Sequence, residues 1–128
     1  MKWFLLALIV LFFPNLTYGY MVEGDRSTEI RTTIERAKVS WYDCGKRKTC
    51  KTANGEWFQK DTAACHSRYP FGTKFRISYK ENRVVVTCRD RGSFEKNGSK
   101  VFLDISKSSF SLLEKPSRGI IYTKVEQL

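Results

Sequence analysis

Beyond Ala37 the apolar residues fall in short runs at every second position, the spacing of β-strands and not of helices. Val39 to Tyr42 reads as one strand, while Asn54-Gly55 and Tyr69-Pro70-Phe71-Gly72 read as turns. Lys74 to Tyr79 and Arg83 to Arg89 form a predicted hairpin about Lys80-Glu81-Asn82. In its second strand Val84, Val86 and Cys88 share a face, and Asp90 is expected to continue that face to its rim. Asn97-Gly98 turns into Lys100 to Ile105, and the β-branched run Ile120 to Val125 closes the domain. One helix interrupts the strands: Ser106 caps Lys107 to Leu113, with Phe110 and Leu113 on one side, and Pro116 stops the chain beyond it. Many short strands and one short helix predict a mainly β fold, a closed or nearly closed barrel.

The N-terminal third breaks the pattern. Lys2 followed by the unbroken apolar run Trp3 to Phe13, with Thr17-Tyr18-Gly19 behind it, reads as a signal peptide over residues 1–19. The apolar run ends at Pro14, well short of the roughly 20 residues that span a bilayer, so no stable membrane insertion is expected. Residues 20–36 are polar, with isolated Ile30 and Ile34, and read as a lead-in to a domain over 37–128.

Export changes the meaning of the cysteines. Cys44, Cys50, Cys65 and Cys88 in a small secreted domain suggest two disulfides, for which there are three pairings. The favoured one is Cys44–Cys50, closing a local loop, with Cys65–Cys88 tying the strand before His66 to the strand before Asp90. A zinc site is disfavoured, because no C-x-x-C pair occurs and there is one histidine, so no metal or other cofactor is expected. The formal charge is +10, and removal of the leader takes away Lys2 and leaves +9. Such a chain is drawn to polyanions, and for an exported protein the expected polyanion is a cell wall. No nucleic-acid docking motif is present.

The candidate chemistry sits in short stretches. Asp90 lies between Arg89 and Arg91. A carboxyl half withdrawn from water keeps its proton, as a general acid must, while neighbouring cations pull the other way. Ser40-Trp41-Tyr42, Thr52-Ala53-Asn54-Gly55-Glu56, Ala63-Ala64-Cys65-His66, Pro70-Phe71-Gly72-Thr73, Arg89-Asp90-Arg91-Gly92-Ser93-Phe94 and Leu103-Asp104-Ile105-Ser106 occur in that order. Together they resemble the rare lipoprotein A (RlpA) family, related more distantly to expansins and barwin. Ser93 stands where that family has proline, and no lipid-attachment cysteine lies near the expected cleavage point.

The resemblance implies a six-stranded double-psi β-barrel. It also implies a monomeric, secreted or periplasmic lytic transglycosylase acting on peptidoglycan glycan strands. Such an enzyme cuts between N-acetylmuramic acid and N-acetylglucosamine and leaves a 1,6-anhydro end. The sugar's own C6 hydroxyl is then the nucleophile, so one acid/base group can serve where an ordinary glycosidase needs two. By this resemblance Asp90 is the general acid/base, with Glu56 and His66 positioning the sugar or relaying the proton. Asp104 matches the expansin aspartate and is expected at the substrate. Trp41, Tyr42 and Trp57 are expected to line a sugar groove, with at least one of the three buried instead, and Arg89 and Arg91 to hold anionic lactyl groups or to pair with Asp90. The alternative is a non-catalytic, expansin-like or barwin-like module that binds polysaccharide and loosens the wall.

Overall fold

The computed structural model describes residues 31–92 and 101–128. The expected leader, most of the lead-in, the Asn97-Gly98 turn and Ser93 lie outside these residues. Six strands form a closed barrel: β1 (Thr33–Tyr42), β2 (Thr62–Cys65), β3 (Lys74–Tyr79), β4 (Asn82–Arg91), β5 (Val101–Ser106) and β6 (Ile120–Gln127). Their order around the barrel is β1-β5-β2-β4-β3-β6. β1 runs parallel to β5 and β2 parallel to β4, while the other four pairings are antiparallel.

β1 begins at Thr33, ahead of the expected Val39, because Ile34 pairs with Val125 of β6 and packs on the core. The predicted hairpin is present, with Lys80 carrying a φ of 51° in its two-residue turn. Ser106 caps α1 (Lys107–Ser111) as expected, its side chain accepting from the Ser109 amide. The helix is shorter than the sequence suggests, yet Phe110 and Leu113 are both buried as its pattern requires.

Inward positions alternate along the strands. Val39, Ala63, Phe75, Ile77, Val86, Cys88, Leu103, Ile105, Ile121 and Val125 fill the barrel. Tyr69, Phe75 and Phe102 meet edge to face, with centroids between 5.1 and 6.0 Å apart. The two disulfides are Cys44–Cys50 and Cys65–Cys88, the favoured pairing. The second lies wholly within the core and fastens β2 to β4. Closing its 23-residue loop contributes about 3 kcal/mol on the chain-entropy account.

Candidate active site

One irregularity positions the site. Ala63 pairs with Cys88, but Ala64 pairs with Asp90, so Arg89 is an extra residue in β4. Such a bulge shifts the side-chain phase of the strand that follows it. Asp90 therefore leaves the face of Val86 and Cys88, which the alternation assigned to it, and joins the face of Ala64. Ala64 pairs on its other side with Asp104, and Asp104 in turn with Ser40. Ser40, Asp104, Ala64 and Asp90 thus form one row across four adjacent strands.

The Thr52-Ala53-Asn54-Gly55-Glu56 stretch closes over the end of this row. It is a tight turn: the Gly55 amide donates to the Thr52 carbonyl at 3.0 Å, and Gly55 has a φ of 85°, which favours glycine. The Asn54 Oδ1 accepts from the Thr52 hydroxyl and the Glu56 amide. Turned this way, the Asn54 amide donates to the Arg89 carbonyl at 3.1 Å and the Ala53 amide to Asp90 Oδ1 at 3.0 Å. The motif is a cradle for the bulge and its carboxylate.

Among the described residues Asp90 accepts from three donors: the Ala53 and Arg91 amides on Oδ1, and the Tyr42 hydroxyl on Oδ2 at 2.8 Å. Burial raises the pKa of the Tyr42 phenol, and Asp90's hydrogen bond and charge raise it further, so the phenol keeps its proton and donates. The ring is held edge-on by Phe58, 5.3 Å between centroids. Asp104 differs: it accepts from the Ser40 hydroxyl at 3.1 Å and is half-buried. Burial raises its pKa above the usual carboxylate range; Ser40 lowers it, and the charge of Asp90 raises it again.

Asp61 is a member that sequence reasoning missed. It grips Arg89 with both carboxylate oxygens, at 2.6 and 3.4 Å, and Oδ2 also accepts from the Thr87 hydroxyl. Burial opposes ionisation of Asp61, but Arg89 and Thr87 outweigh it and hold its pKa below the ordinary value. Glu56 reaches Arg89 Nε at 3.4 Å from the other side, its own side chain 56% exposed. Glu56 is thereby joined to the bulge through Arg89. The missed signal was the pair itself: Arg89 stands in a motif, but Asp61 lies 28 residues before it in no recognisable spacing.

The remaining expected residues divide. Tyr42 is in the site. Trp57 stands out from the loop, 57% exposed, with the Lys51 ammonium 5.5 Å from its ring centroid. His66 follows the Cys65–Arg91 register pair at the end of β2, and its Nδ1 accepts from the Arg68 amide at 3.0 Å. In the neutral ring the proton then sits on Nε2. Trp41 is half-buried: it packs on the core, donates from Nε1 to the Pro116 carbonyl at 2.7 Å and carries the Lys107 ammonium 5.1 Å from its ring centroid. Its inward phase on β1, odd-numbered like Val39, is the reason. Arg91 turns onto protein, with Nη1 at 3.0 and 3.2 Å from the sulfurs of Cys65 and Cys88 and its guanidinium 3.9 Å over Phe71. Among the described residues no cluster of His, Cys, Asp and Glu is suited to hold a metal ion.

With this geometry in view, the comparisons with known proteins are specific. A family model described as lytic transglycolase matches residues 34–125. The chain belongs to this family. It is 36% identical over 94 residues to the probable endolytic peptidoglycan transglycosylase RlpA of a Synechocystis strain, covering 69% of this chain. The chain spans about 28% of the length of that relative. Among solved structures it resembles an expansin of Clavibacter michiganensis, with a TM-score of 0.60 at 20% identity over 76% of this chain and 50% of that one. A variant of that expansin in complex with cellohexaose scores 0.59 with the same coverage and identity. The Streptomyces papain inhibitor scores 0.57 at 16% identity, over 75% of this chain and 93% of its own. These likenesses show the double-psi barrel fold.

Proposed function

We propose that this chain is an exported peptidoglycan lytic transglycosylase, delivered by residues 1–19, that divides its chemistry between Asp104 and Asp90. The observation that carries the reading is the row in which these two carboxyls flank Ala64. Burial raises the pKa of Asp104, which favours its protonated form, and we assign it the proton donor's part. This moves the acid role from Asp90, where the motif resemblance put it.

The reaction follows from the two environments. Asp104 gives its proton to the glycosidic oxygen as the bond from C1 of the muramic residue to that oxygen breaks. The C6 hydroxyl of the same residue bonds to C1, and its proton passes to Asp90. One acid is deprotonated and one carboxylate protonated, and exchange with solvent restores both. The Tyr42 hydroxyl and the Ala53 and Arg91 amides orient the Asp90 oxygens. Asp61 and Glu56 act at one remove, through Arg89. We assign His66 and Trp57 to the sugar, Trp57 offering a flat exposed ring for stacking.

The test is digestion of purified, peptide-free glycan strands, followed by mass spectrometry. Anhydromuramic ends with wild type, and none with Asp104→Asn, are expected. Folded wild type that yields no such ends overturns the reading. Binding to insoluble wall without a covalent product would assign the chain instead to the polysaccharide-binding, wall-loosening alternative.

A further inference from the structure

The outer barrel surface away from the carboxylate row is a field of cations around one tyrosine ring. On the β1–β6 pair Lys38 stands beside Tyr122. On β6–β3 Lys124 stands beside Ser78, and on β3–β4 Ser78 stands beside Arg83. One row further along, Arg76 faces Glu126. All of these point outward, because Ile121, Thr123, Val125, Phe75 and Ile77 between them are buried. Arg36 joins from the β1 bulge, its guanidinium 4.8 Å over the Tyr122 ring. Glu126 bridges Arg76 at 3.8 Å and Lys124 at 3.5 Å, and Glu35 is exposed within the same bulge. Five cations therefore outnumber two acids over four contiguous strands. Tyr122 is 52% exposed in their midst.

We infer that this face is a second docking surface, taking the carboxylate-bearing glycan strand of peptidoglycan at a distance from the carboxylate row. The inference rests on the wall-directed reading above. Its argument is complementarity of charge and shape. A stem peptide consumes the lactyl carboxyl of muramic acid in an amide; its removal exposes a carboxylate on every second sugar. A stripped strand is thus a linear polyanion of flat rings. Spaced cations answer its carboxylates, and the exposed ring of Tyr122 answers the apolar faces of its sugars. β1 and β4 carry this face toward their N-terminal ends and the site residues Ser40, Tyr42 and Asp90 toward their C-terminal ends. One polymer held here stays at high effective concentration for the site.

The test uses the full chain in an Asp104→Asn background, so that nothing is cut, and end-labelled peptide-free glycan strands read by fluorescence anisotropy. Lys38→Glu with Lys124→Glu is expected to weaken binding about tenfold, a change that salt between about 50 and 300 mM should erase. Lys115→Glu with Arg118→Glu, the same change in net charge elsewhere, is expected to leave binding within about twofold. Lys38→Gln with Lys124→Gln gives an intermediate loss and guards against misfolding of the reversed pair. Strands whose lactyl carboxylates are converted to methylamides should bind the unreversed chain as weakly as intact strands bind the reversed one. Equal binding by both charge-reversed pairs, indifference to amidation, or tighter binding of duplex DNA than of glycan overturns the inference. Cleavage of a short muramic tetrasaccharide with Asp104 intact separates the two readings. If it is cut normally while strand binding ignores Lys38 and Lys124, the docking face alone fails. If strands bind through the face and nothing is ever cut, the transglycosylase reading alone fails.

Discussion

Asp90 and Asp104 are both register partners of Ala64, one from each side of β2. Two strand spacings separate their backbones, about 10 Å. The residue between them carries a single methyl group. A larger side chain at that point would occupy the space that a sugar ring needs to reach both carboxyls, and neither carboxyl could move to compensate. Asp90 is fixed by three hydrogen bonds and Asp104 by Ser40.

Ala64→Val is therefore expected to abolish most glycan cleavage while the barrel still forms. Valine suits a strand, but Ala64 is buried, so the added methyls must displace the groups that cover it, at a cost of about 1–3 kcal/mol. A fall of about tenfold or more in turnover, measured well below a melting temperature lowered by several degrees, is the expected outcome. Full activity in Ala64→Val would show that substrate does not cross this row.

Asp104 makes activity depend on pH in a definite direction. Its pKa is raised from the usual 3.8, chiefly by burial. Cleavage requires the protonated form and should fall as pH rises through that elevated value. The same shift has a stability consequence. Between the unfolded value and the folded one the native state binds more protons, so stability declines as pH rises through that window. Asp104→Asn should remove this decline while abolishing cleavage. Denaturant titrations of both proteins across the acid range check it.

Asp61 has the opposite sign. Its folded pKa lies below 3.8, so its contribution is present above that value and is lost as pH falls through the folded one. Arg89 is 15% exposed and Asp61 44%, so part of the pairing is screened by solvent. Asp61→Asn is expected to cost about 1 kcal/mol at neutral pH and nothing at strongly acid pH. Because Arg89 is the bulge residue, the same variant should lower the turnover rate more than it raises KM. An unchanged turnover rate would confine Asp61 to stability.

Much of this arrangement was written in local signals. The hairpin, the Ser106 cap and the Cys44–Cys50 loop depend on near neighbours, and each appears where the sequence placed it; Cys65–Cys88, 23 residues apart, is the favoured one of the pairings left open. The phase of Asp90 did not, because a bulge is set by pairing with a parallel strand more than twenty residues away in the chain. Asp61 was invisible for the same reason: its partner lies 28 residues ahead, and its own surroundings look like an ordinary polar turn. The aromatic residues were separable only by phase. Trp41 and Tyr42 are adjacent in sequence, and the barrel sends one to the core and the other to Asp90.

That division gives a paired prediction for the tryptophans. Trp41→Ala removes an indole packed on the core and leaves the Pro116 carbonyl without its donor, so a loss of about 3 kcal/mol is expected. Trp57→Ala removes a ring that is 57% exposed and touches Lys51, so its cost should stay below about 0.5 kcal/mol. Glycan affinity should reverse the order. Trp57→Ala loses a stacking platform and is expected to weaken binding several-fold, while folded Trp41→Ala binds as wild type at low temperature. Calorimetric melting and anisotropy on the same two proteins decide it. If Trp57→Ala binds unchanged, the loop carrying it is not part of the sugar path, and stacking must come from Tyr42 or Phe71 instead.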